Sequence, residues 1–284
     1  MGDVILYIPP TTIMEYMWKV ELSPTNEFKF NYNGVFVNLG DIILFYYKCD
    51  NKINYIKIHK SGNIIEKNNF SYNGKIDIPV YWILSKQKKS SYLLFNSHTG
   101  IDLNSQKVIS GLNIKYDNEQ KMLDLSEGQY YFNECYIEHV GAFGYKCCNT
   151  ISGNKMWQIT LNGYLYTDVF QYGDSFIFCT AQHGGGIYAV NVQTGKIKFC
   201  INTKGTAKYI KINNILYCYQ LGRKGFLLKV DLDNGVIIDS FEIGETTIDS
   251  PLQLIDSTYI LTVTFCKNKG NFYIPTIECF NINE

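Results

Sequence analysis

A glycine-containing turn recurs along this chain and constrains its fold more than any other feature. The turn contains Gly62, Gly100, Gly153, Gly195 and Gly235. In four copies an Asn or Asp stands four positions before the glycine, at Asn96, Asn149, Asn191 and Asp231. A strand–turn–strand unit that repeats at roughly 40 residues is typical of a β-propeller. The recurrence therefore predicts an all-β fold of repeated blades.

The clearest copy of the turn shows why each position is used. It runs from Ile187 to Lys196, with the Asx residue at Asn191 and the glycine at Gly195. Glycine adopts the positive φ that a tight hairpin requires, and an Asx side chain hydrogen-bonds the turn that follows it. An aromatic residue four positions after the glycine is predicted to pack against the neighbouring blade. These residues are Trp157, Phe199 and, across the chain ends, Trp18.

A second marker, a tight turn before an apolar strand, completes the order of strands in each unit. It occurs at Gly40-Asp41, Glu127-Gly128, Gly173-Asp174, Asn213-Asn214 and Asp256-Ser257. Each unit then consists of strand A, tight turn, strand B, loop, strand C, glycine turn and strand D. Four antiparallel strands of this kind make one propeller blade.

The two ends of the chain predict how the ring closes. The last strand ends at Glu284, one residue before the expected glycine, and no strand D follows it. Residues 16–22 (YMWKVEL) resemble residues 155–161 (KMWQITL), which are predicted to form a strand D. We therefore predict that the N-terminal strand completes the last blade. Such closure removes the open sheet edges that invite aggregation.

We predict one domain over residues 1–284, a six-bladed β-propeller of four-stranded antiparallel blades. The blades are placed roughly at 34–68, 75–108, 119–161, 164–201, 205–242 and 248–284, the last together with 13–22. The longer interval between Gly100 and Gly153 is interpreted as an insertion near 109–120, because the residues there are polar.

The amino-acid composition limits the cellular compartment and the classes of partner that we expect for the protein. The formal net charge is zero and Arg223 is the one arginine, which argues against a nucleic-acid or membrane-surface partner. The nine cysteines include no Cys-x-x-Cys pair and lie mostly in apolar runs, so we predict buried, reduced thiols. The sequence shows no signal-peptide pattern and no apolar run of membrane length. We expect a cytoplasmic monomer.

The turn resembles the pyrroloquinoline-quinone-type (PQQ-like) propeller repeat, whose blades carry Ala-x-Asp-x-x-Thr-Gly-x-x-x-Trp. One blade matches at Ala189, Asn191, Thr194, Gly195 and Phe199. Two others match in part, at Asn149, Ser152, Gly153, Trp157, Asp231 and Gly235. Three blades depart from the pattern, with Glu66, Asn104 and Asp239 at the aromatic position. The resemblance covers most of the chain and implies the propeller fold.

Quinone-dependent members of that family carry adjacent cysteines beside the cofactor, and Cys147-Cys148 is similar to that pair. Here the pair is predicted to lie on a strand C, next to Asn149 and away from a central channel. We therefore predict no quinone site and no cofactor, since a fold does not carry a function with it.

Searches for catalytic motifs predict no catalytic residue and no metal site. The stretch His183-Gly184-Gly185-Gly186 resembles an oxyanion-hole loop, but no Gly-x-Ser-x-Gly elbow accompanies it, so we interpret it as a hairpin loop. Phosphate-loop, dinucleotide and calcium-loop patterns are absent. Paired carboxylates that meet only in space remain an open alternative. The histidines that lack zinc-ligand spacing are His59, His98, His139 and His183.

Basic residues are predicted to collect on one face of the propeller, where the B–C loops and the D–A connections meet. The predicted members are Lys86, Lys88, Lys89, His139, His183, Arg223, Lys224, Lys267 and Lys269. Such a ring would favour an acidic protein or ligand and speed its encounter. The alternative is that these residues are solvated hairpin tips, where lysine is expected anyway.

The leading hypothesis is a non-catalytic, protein-binding propeller that uses this face. It would be an adaptor, or an immunity-type protein that neutralises a toxin, the latter by analogy with small standalone binding proteins. The alternative is a small-molecule-binding or enzymatic propeller with a site in the central channel, so the question of enzymatic activity stays open. Predicted A strands such as residues 35–37 are apolar, which argues against a polar channel site.

Overall fold

The described part of the chain is built of β-strands. The computed structural model describes residues 14–22, 34–49, 52–71, 92–94, 99–102, 107–110, 129–248, 250–267 and 273–282. Within these ranges 24 strands form six antiparallel sheets, and no helix is present. No described segment is therefore a helix long and apolar enough to cross a membrane.

The sheets follow one another along the chain, except that the first strand, β1 (Glu15–Glu21), belongs to the last sheet. Sheet 1 contains β2 (Gly34–Asn38), β3 (Ile42–Cys49), β4 (Lys52–His59) and β5 (Ile64–Ser71). Sheet 2 contains β6 (Tyr92–Leu94), β7 (Thr99–Asp102) and β8 (Lys107–Ser110).

Sheets 3 to 5 repeat the four-strand order A, B, C, D. Sheet 3 contains β9 (Gln129–Tyr131), β10 (Cys135–Val140), β11 (Gly144–Asn149) and β12 (Lys155–Thr160). Sheet 4 contains β13 (Tyr164–Leu165), β14 (Phe170–Tyr172), β15 (Ser175–Ala181), β16 (Ile187–Asn191) and β17 (Ile197–Ile201). Its strand A is split, because β13 and β14 both pair with β15. Sheet 5 contains β18 (Tyr209–Ile212), β19 (Ile215–Gln220), β20 (Gly225–Asp231) and β21 (Val236–Ile243).

Sheet 6 joins the two ends of the described chain. It contains β22 (Leu252–Ile255), β23 (Tyr259–Lys267), β24 (Tyr273–Asn281) and, beside β24, the N-terminal β1. The register pairs Trp18 with Cys279 and Val20 with Ile277. The predicted pairing of the N-terminal strand with the last strand is confirmed.

Four buried apolar clusters among the described residues join the sheets side by side. They connect sheet 3 to sheet 4, sheet 4 to sheet 5 and sheet 5 to sheet 6. The fourth connects sheet 6 to sheet 1 and contains Val20, Val263 and Ile277 opposite Phe45 and Ile56. The last sheet therefore packs against the first.

A side chain on the first strand of sheet 6 also ties it to sheet 1. Gln253 of β22 accepts a hydrogen bond from the Phe36 amide at 3.2 Å and donates one to the Phe36 carbonyl at 2.7 Å. At the tight turn of sheet 6, Asp256 pairs with Lys60 of sheet 1. The two sheets are thus in contact from strand A to the glycine turn.

The glycine turn has the geometry that its sequence predicts. Gly62, Gly153, Gly195 and Gly235 all have positive φ, between 64° and 89°. In the copy that ends at Gly195, Oδ1 of Asn191 accepts hydrogen bonds from the amides of Gln193 (3.2 Å) and Thr194 (3.0 Å). These bonds satisfy backbone donors that the reversal of the chain would otherwise leave unpaired.

An aromatic ring from the preceding strand D packs on three of these glycines. A Cβ atom would lie 2.7 Å from Trp157 at Gly195, 2.4 Å from Phe199 at Gly235 and 2.7 Å from Trp18 at Gly62. The indole Nε1 groups of Trp157 and Trp18 donate to carbonyls in the same turns, at 2.7 Å each. The prediction that these aromatics pack on the neighbouring unit is confirmed.

Gly100 is a correction to the predicted series. It lies inside β7, where it pairs with Leu94 and Ile109, and it is absent from the residues of positive φ. The chain has already reversed before Gly100, so this glycine occupies a ladder position rather than the turn. The insertion predicted near 109–120 falls largely outside the described residues.

Candidate functional site

The B–C turns and the D–A connections lie together at one end of the sheets, which we call the B–C face. Among the described residues, backbone hydrogen bonds link the D–A connections after sheets 3, 4 and 5 to residues in or next to the B–C turns of these sheets. They run from Leu161 to Phe143 (3.0 Å), Thr206 to Thr180 (2.8 Å), Leu221 to Gly205 (3.0 Å) and Thr246 to Gly222 (3.3 Å). With the bond from Thr180 Oγ1 to the Asn162 carbonyl, these contacts place the described turns of sheets 3, 4 and 5 beside one another on this face.

Two of the predicted basic residues lie in strands rather than in loops. His139 is in β10, which continues to Val140, and Lys267 is the last residue of β23. Both strands extend further than their sequences suggested, because their backbones stay paired, His139 with Tyr145 and Lys267 with Tyr273. The remaining lysines of the predicted ring in sheets 2 and 6, Lys86, Lys88, Lys89 and Lys269, lie outside the described residues.

His183 lies at the tip of the B–C turn of sheet 4 and is exposed, with φ of 42°. Its ring packs edge-on against Phe143, with centroids 5.6 Å apart, and against Tyr164, at 5.3 Å. Phe143 and Tyr164 are 4.9 Å apart. We call these three residues the aromatic cluster. Sequence reasoning singled out His183 alone, since Phe143 comes from sheet 3 and Tyr164 from the start of sheet 4.

The glycines after His183 serve packing rather than oxyanion binding. The Gly185 amide donates to the Gln182 carbonyl at 2.7 Å, and the Gly186 amide donates to Thr180 Oγ1 at 3.0 Å. A Cβ at Gly186 would lie 2.3 Å from the Ile201 carbonyl oxygen. Both amides are therefore used inside the hairpin, in line with the prediction of a hairpin loop.

Arg223 and Lys224 form the B–C turn of sheet 5, and both are exposed. Lys224 Nζ lies 3.8 Å from Glu242, so its charge is partly balanced. Within the described residues Arg223 makes no ion pair, which leaves its guanidinium directed to solvent or to a ligand. Arg223 is thus the clearest cationic contact point on the described part of the B–C face.

His139 does not present a charge to this face. Its side chain is half-buried, its ring contacts Tyr145 edge-on at 4.9 Å, and its Nε2 is buried without a hydrogen-bond partner in the described structure. Burial lowers the pKa of His139 below its usual 6.5 because the imidazolium loses hydration. The residue is neutral at physiological pH.

Acidification is expected to destabilise the fold through His139. With the pKa lowered in the folded state, the unfolded chain binds more protons as the pH falls below about 6.5. The stability contributed by neutral His139 is thus present above that pH and is lost as the pH falls toward the folded-state pKa. Urea unfolding between pH 5 and 7.5 should show this loss, and His139→Gln should reduce the slope. An identical pH profile for the variant would contradict the prediction.

Most of the described cysteines are buried. The eight whose side chains are described are free thiols, and all but Cys200 and Cys266 are buried. Cys147 and Cys148 lie on β11, a strand C, and burial raises the pKa of Cys147. A thiol held protonated in this way is a poor nucleophile. Among the described residues, no group of three or more His, Cys, Asp or Glu side chains is arranged to hold a metal ion.

A cleft of about 990 Å³ opens between sheets 5 and 6. Arg223 and Lys224 stand on one side, β21 forms a wall, and β1, β23 and β24 form the other side. The cleft also contains Glu278, a buried carboxylate in β24. That single acidic residue in the run 273–282 was the sequence signal for this site, and sequence reasoning missed it.

Comparisons with known proteins give only distant structural likenesses. No protein-family model and no curated protein matches the chain. BamB from Moraxella catarrhalis is similar with a TM-score of 0.40 and 11% identity, over 87% of this chain and 71% of that one. Dihydro-heme d1 dehydrogenase NirN in complex with DHE is similar with a TM-score of 0.36 and 10% identity, over 72% of this chain and 46% of that one. The computationally designed Ika4 protein is similar with a TM-score of 0.37 and 10% identity, over 55% of this chain and 89% of that one. Likenesses this weak assign neither fold family nor function.

Proposed function

We propose that the chain is a single-domain, six-bladed β-propeller that binds another protein through its B–C face and catalyses no reaction. The ring is supported by the packing of sheet 6 on sheet 1 and by the continuous series of sheets 3 to 6. In this proposal residues 34–108 supply two blades, of which the second is sheet 2.

The observation that carries the binding role is the make-up of the described B–C face. It places the aromatic cluster of Phe143, Tyr164 and His183 on the same face as the unpaired Arg223. Aromatic side chains and arginine are the residues most enriched where protein interfaces bind tightly. Arg223 favours a partner with an acidic surface, as an adaptor or a toxin-neutralising protein would meet in the cytoplasm.

The test is capture of a partner by the purified protein, followed by titration with that partner in isolation. We expect one stoichiometric protein to be recovered. We expect Arg223→Glu and Phe143→Ala each to weaken its binding about tenfold or more, as central interface residues do. The matched control is Lys196→Glu, which reverses an exposed charge in the glycine turn at the opposite end of sheet 4. Recovery of no partner, or equal affinity for all variants, would refute the proposal.

A further inference from the structure

The cleft between sheets 5 and 6 lies at the polar end of an interface that is otherwise apolar. Near the glycine turns the interface is apolar, with Met14, Ile260 and Phe280 in contact with sheet 5. Toward the B–C face it becomes polar. The buried polar residues on this part of sheet 6 are Thr262, Thr264, Thr276 and Glu278.

Glu278 is a buried carboxylate that forms no ion pair with any residue the structure describes. Its side chain is 7% exposed, it accepts a hydrogen bond from the Thr264 hydroxyl, and it accepts a long one, 3.4 Å, from the Gly244 amide. In the described structure both bonds go to Oε1, so Oε2 is open to a ligand. A buried charge is costly unless a counter-ion pairs with it.

The cation nearest along the sheet is already engaged. Lys19 stands opposite Glu278 in the strand register, but its Nζ lies 3.1 Å from Glu21 and both side chains are 56% exposed. Lys224, on the other side of the cleft, lies near Glu242. A cation from outside the chain would therefore complete the site at Glu278.

Aromatic rings line the same cleft as Glu278. Tyr16 stacks on Phe241 with centroids 5.6 Å apart and planes 9° from parallel, and both residues line the cleft. Burial and the nearby charge of Glu278 raise the pKa of Tyr16 to about 12, so its hydroxyl stays protonated. A carboxylate beside aromatic faces is the arrangement that binds organic cations, since the rings attract positive charge.

We infer that this cleft binds a small zwitterion whose side-chain ammonium or guanidinium group pairs with Glu278 and whose carboxylate pairs with Arg223. Arg223 is the one cation lining the cleft that has no ion pair in the described structure. The volume of about 990 Å³ is at the upper end of the usual range for small-molecule pockets. A free basic amino acid and the C-terminal basic residue of a peptide share this chemistry.

The test is titration calorimetry of the purified protein with ligands that differ by one group. We expect L-arginine to bind, and agmatine, which lacks the carboxylate, to bind about tenfold more weakly. L-citrulline, in which a neutral ureido group replaces the guanidinium, should not bind measurably. The tripeptide Gly-Gly-Arg, with its C terminus free or amidated, distinguishes the two sources. A free amino-acid site rejects both peptides, whereas a C-terminal site binds the free form alone.

Variants locate the binding. Glu278→Gln should weaken arginine binding about tenfold or more, and Arg223→Gln should remove the preference for arginine over agmatine. The matched control is Glu138→Gln, which neutralises a carboxylate outside the cleft. Binding of citrulline equal to that of arginine, or no heat with arginine, would overturn the inference even if Glu278→Gln fails to fold. Because these titrations contain no protein partner, their outcome is independent of the proposed protein-binding role.

Discussion

Trp157→Ala is expected to lower the free energy of unfolding by about 3–5 kcal/mol, as removal of a buried large aromatic side chain does. Trp157 is 6% exposed and belongs to the apolar cluster between sheets 3 and 4. Its ring fills the space above Gly195, and its Nε1 donates to the Val192 carbonyl at 2.7 Å. The substitution removes the contact by which one sheet is fixed to the turn of the next.

Urea unfolding followed by circular dichroism measures the effect. Trp157→Phe is the matched control, because it keeps an aromatic ring over Gly195 but loses the indole donor. It should cost less than the alanine change, about 1–3 kcal/mol for the unsatisfied carbonyl and the smaller ring. A loss below 1 kcal/mol for Trp157→Ala would contradict the role assigned to this residue.

Val20→Asp is expected to cost about 3–5 kcal/mol, because it places an unpaired charge in a buried apolar cluster. Val20 is 4% exposed and lies where sheet 6 packs on sheet 1. The backbone of β1 is held to sheet 6 through β24 alone, so the charge should also release this strand.

Limited proteolysis distinguishes release of β1 from general destabilisation. We expect chymotrypsin to cleave Val20→Asp first after Trp18, at a protease concentration that leaves the wild-type protein intact. Met17→Asp introduces the same charge on the same strand at a position that is 45% exposed, and should cost less than about 0.5 kcal/mol. Equal protection of β1 in both variants would show that the strand does not depend on this cluster.

The fold could be predicted from the sequence where local interactions determine the backbone conformation. The Asx residue, the glycine and the aromatic four positions later each have a local or nearest-neighbour role, so Asn191, Gly195 and Phe199 could be placed correctly. Gly100 was wrongly predicted to lie in a turn, because an Asn stands four residues before it as in the other copies. In the structure Gly100 already pairs with Leu94 in β6, so the chain reverses before it. Four residues after Gly100 the sequence has Asn104 instead of the aromatic residue that would pack on the next glycine, Gly153. A Cβ at Gly153 would meet no atom within 4 Å.

The candidate site was less predictable because it depends on solvation and on contacts between sheets. His139 has the same residue type as His183, but β10 extends to half-bury the former and leaves the latter exposed at a turn. Lys224 was predicted to be a free charge, but Glu242 of the neighbouring strand lies near it, a contact that the sequence does not show. The surroundings of Glu278 could not be predicted because the Gly244 amide, which donates a hydrogen bond to it, lies 34 residues away in the sequence.

The pairing of β1 with β24 has a consequence for the order of events at the ribosome. Strand β1 precedes the other described strands in the chain, and its partner β24 is the last of them. The other sheets consist of strands that are consecutive in sequence, so each can assemble as it emerges. Contacts of such long sequence separation form slowly and leave an unpaired strand exposed to aggregation meanwhile. We therefore expect the pairing of β1 with β24 to be the last step in the assembly of the described sheets.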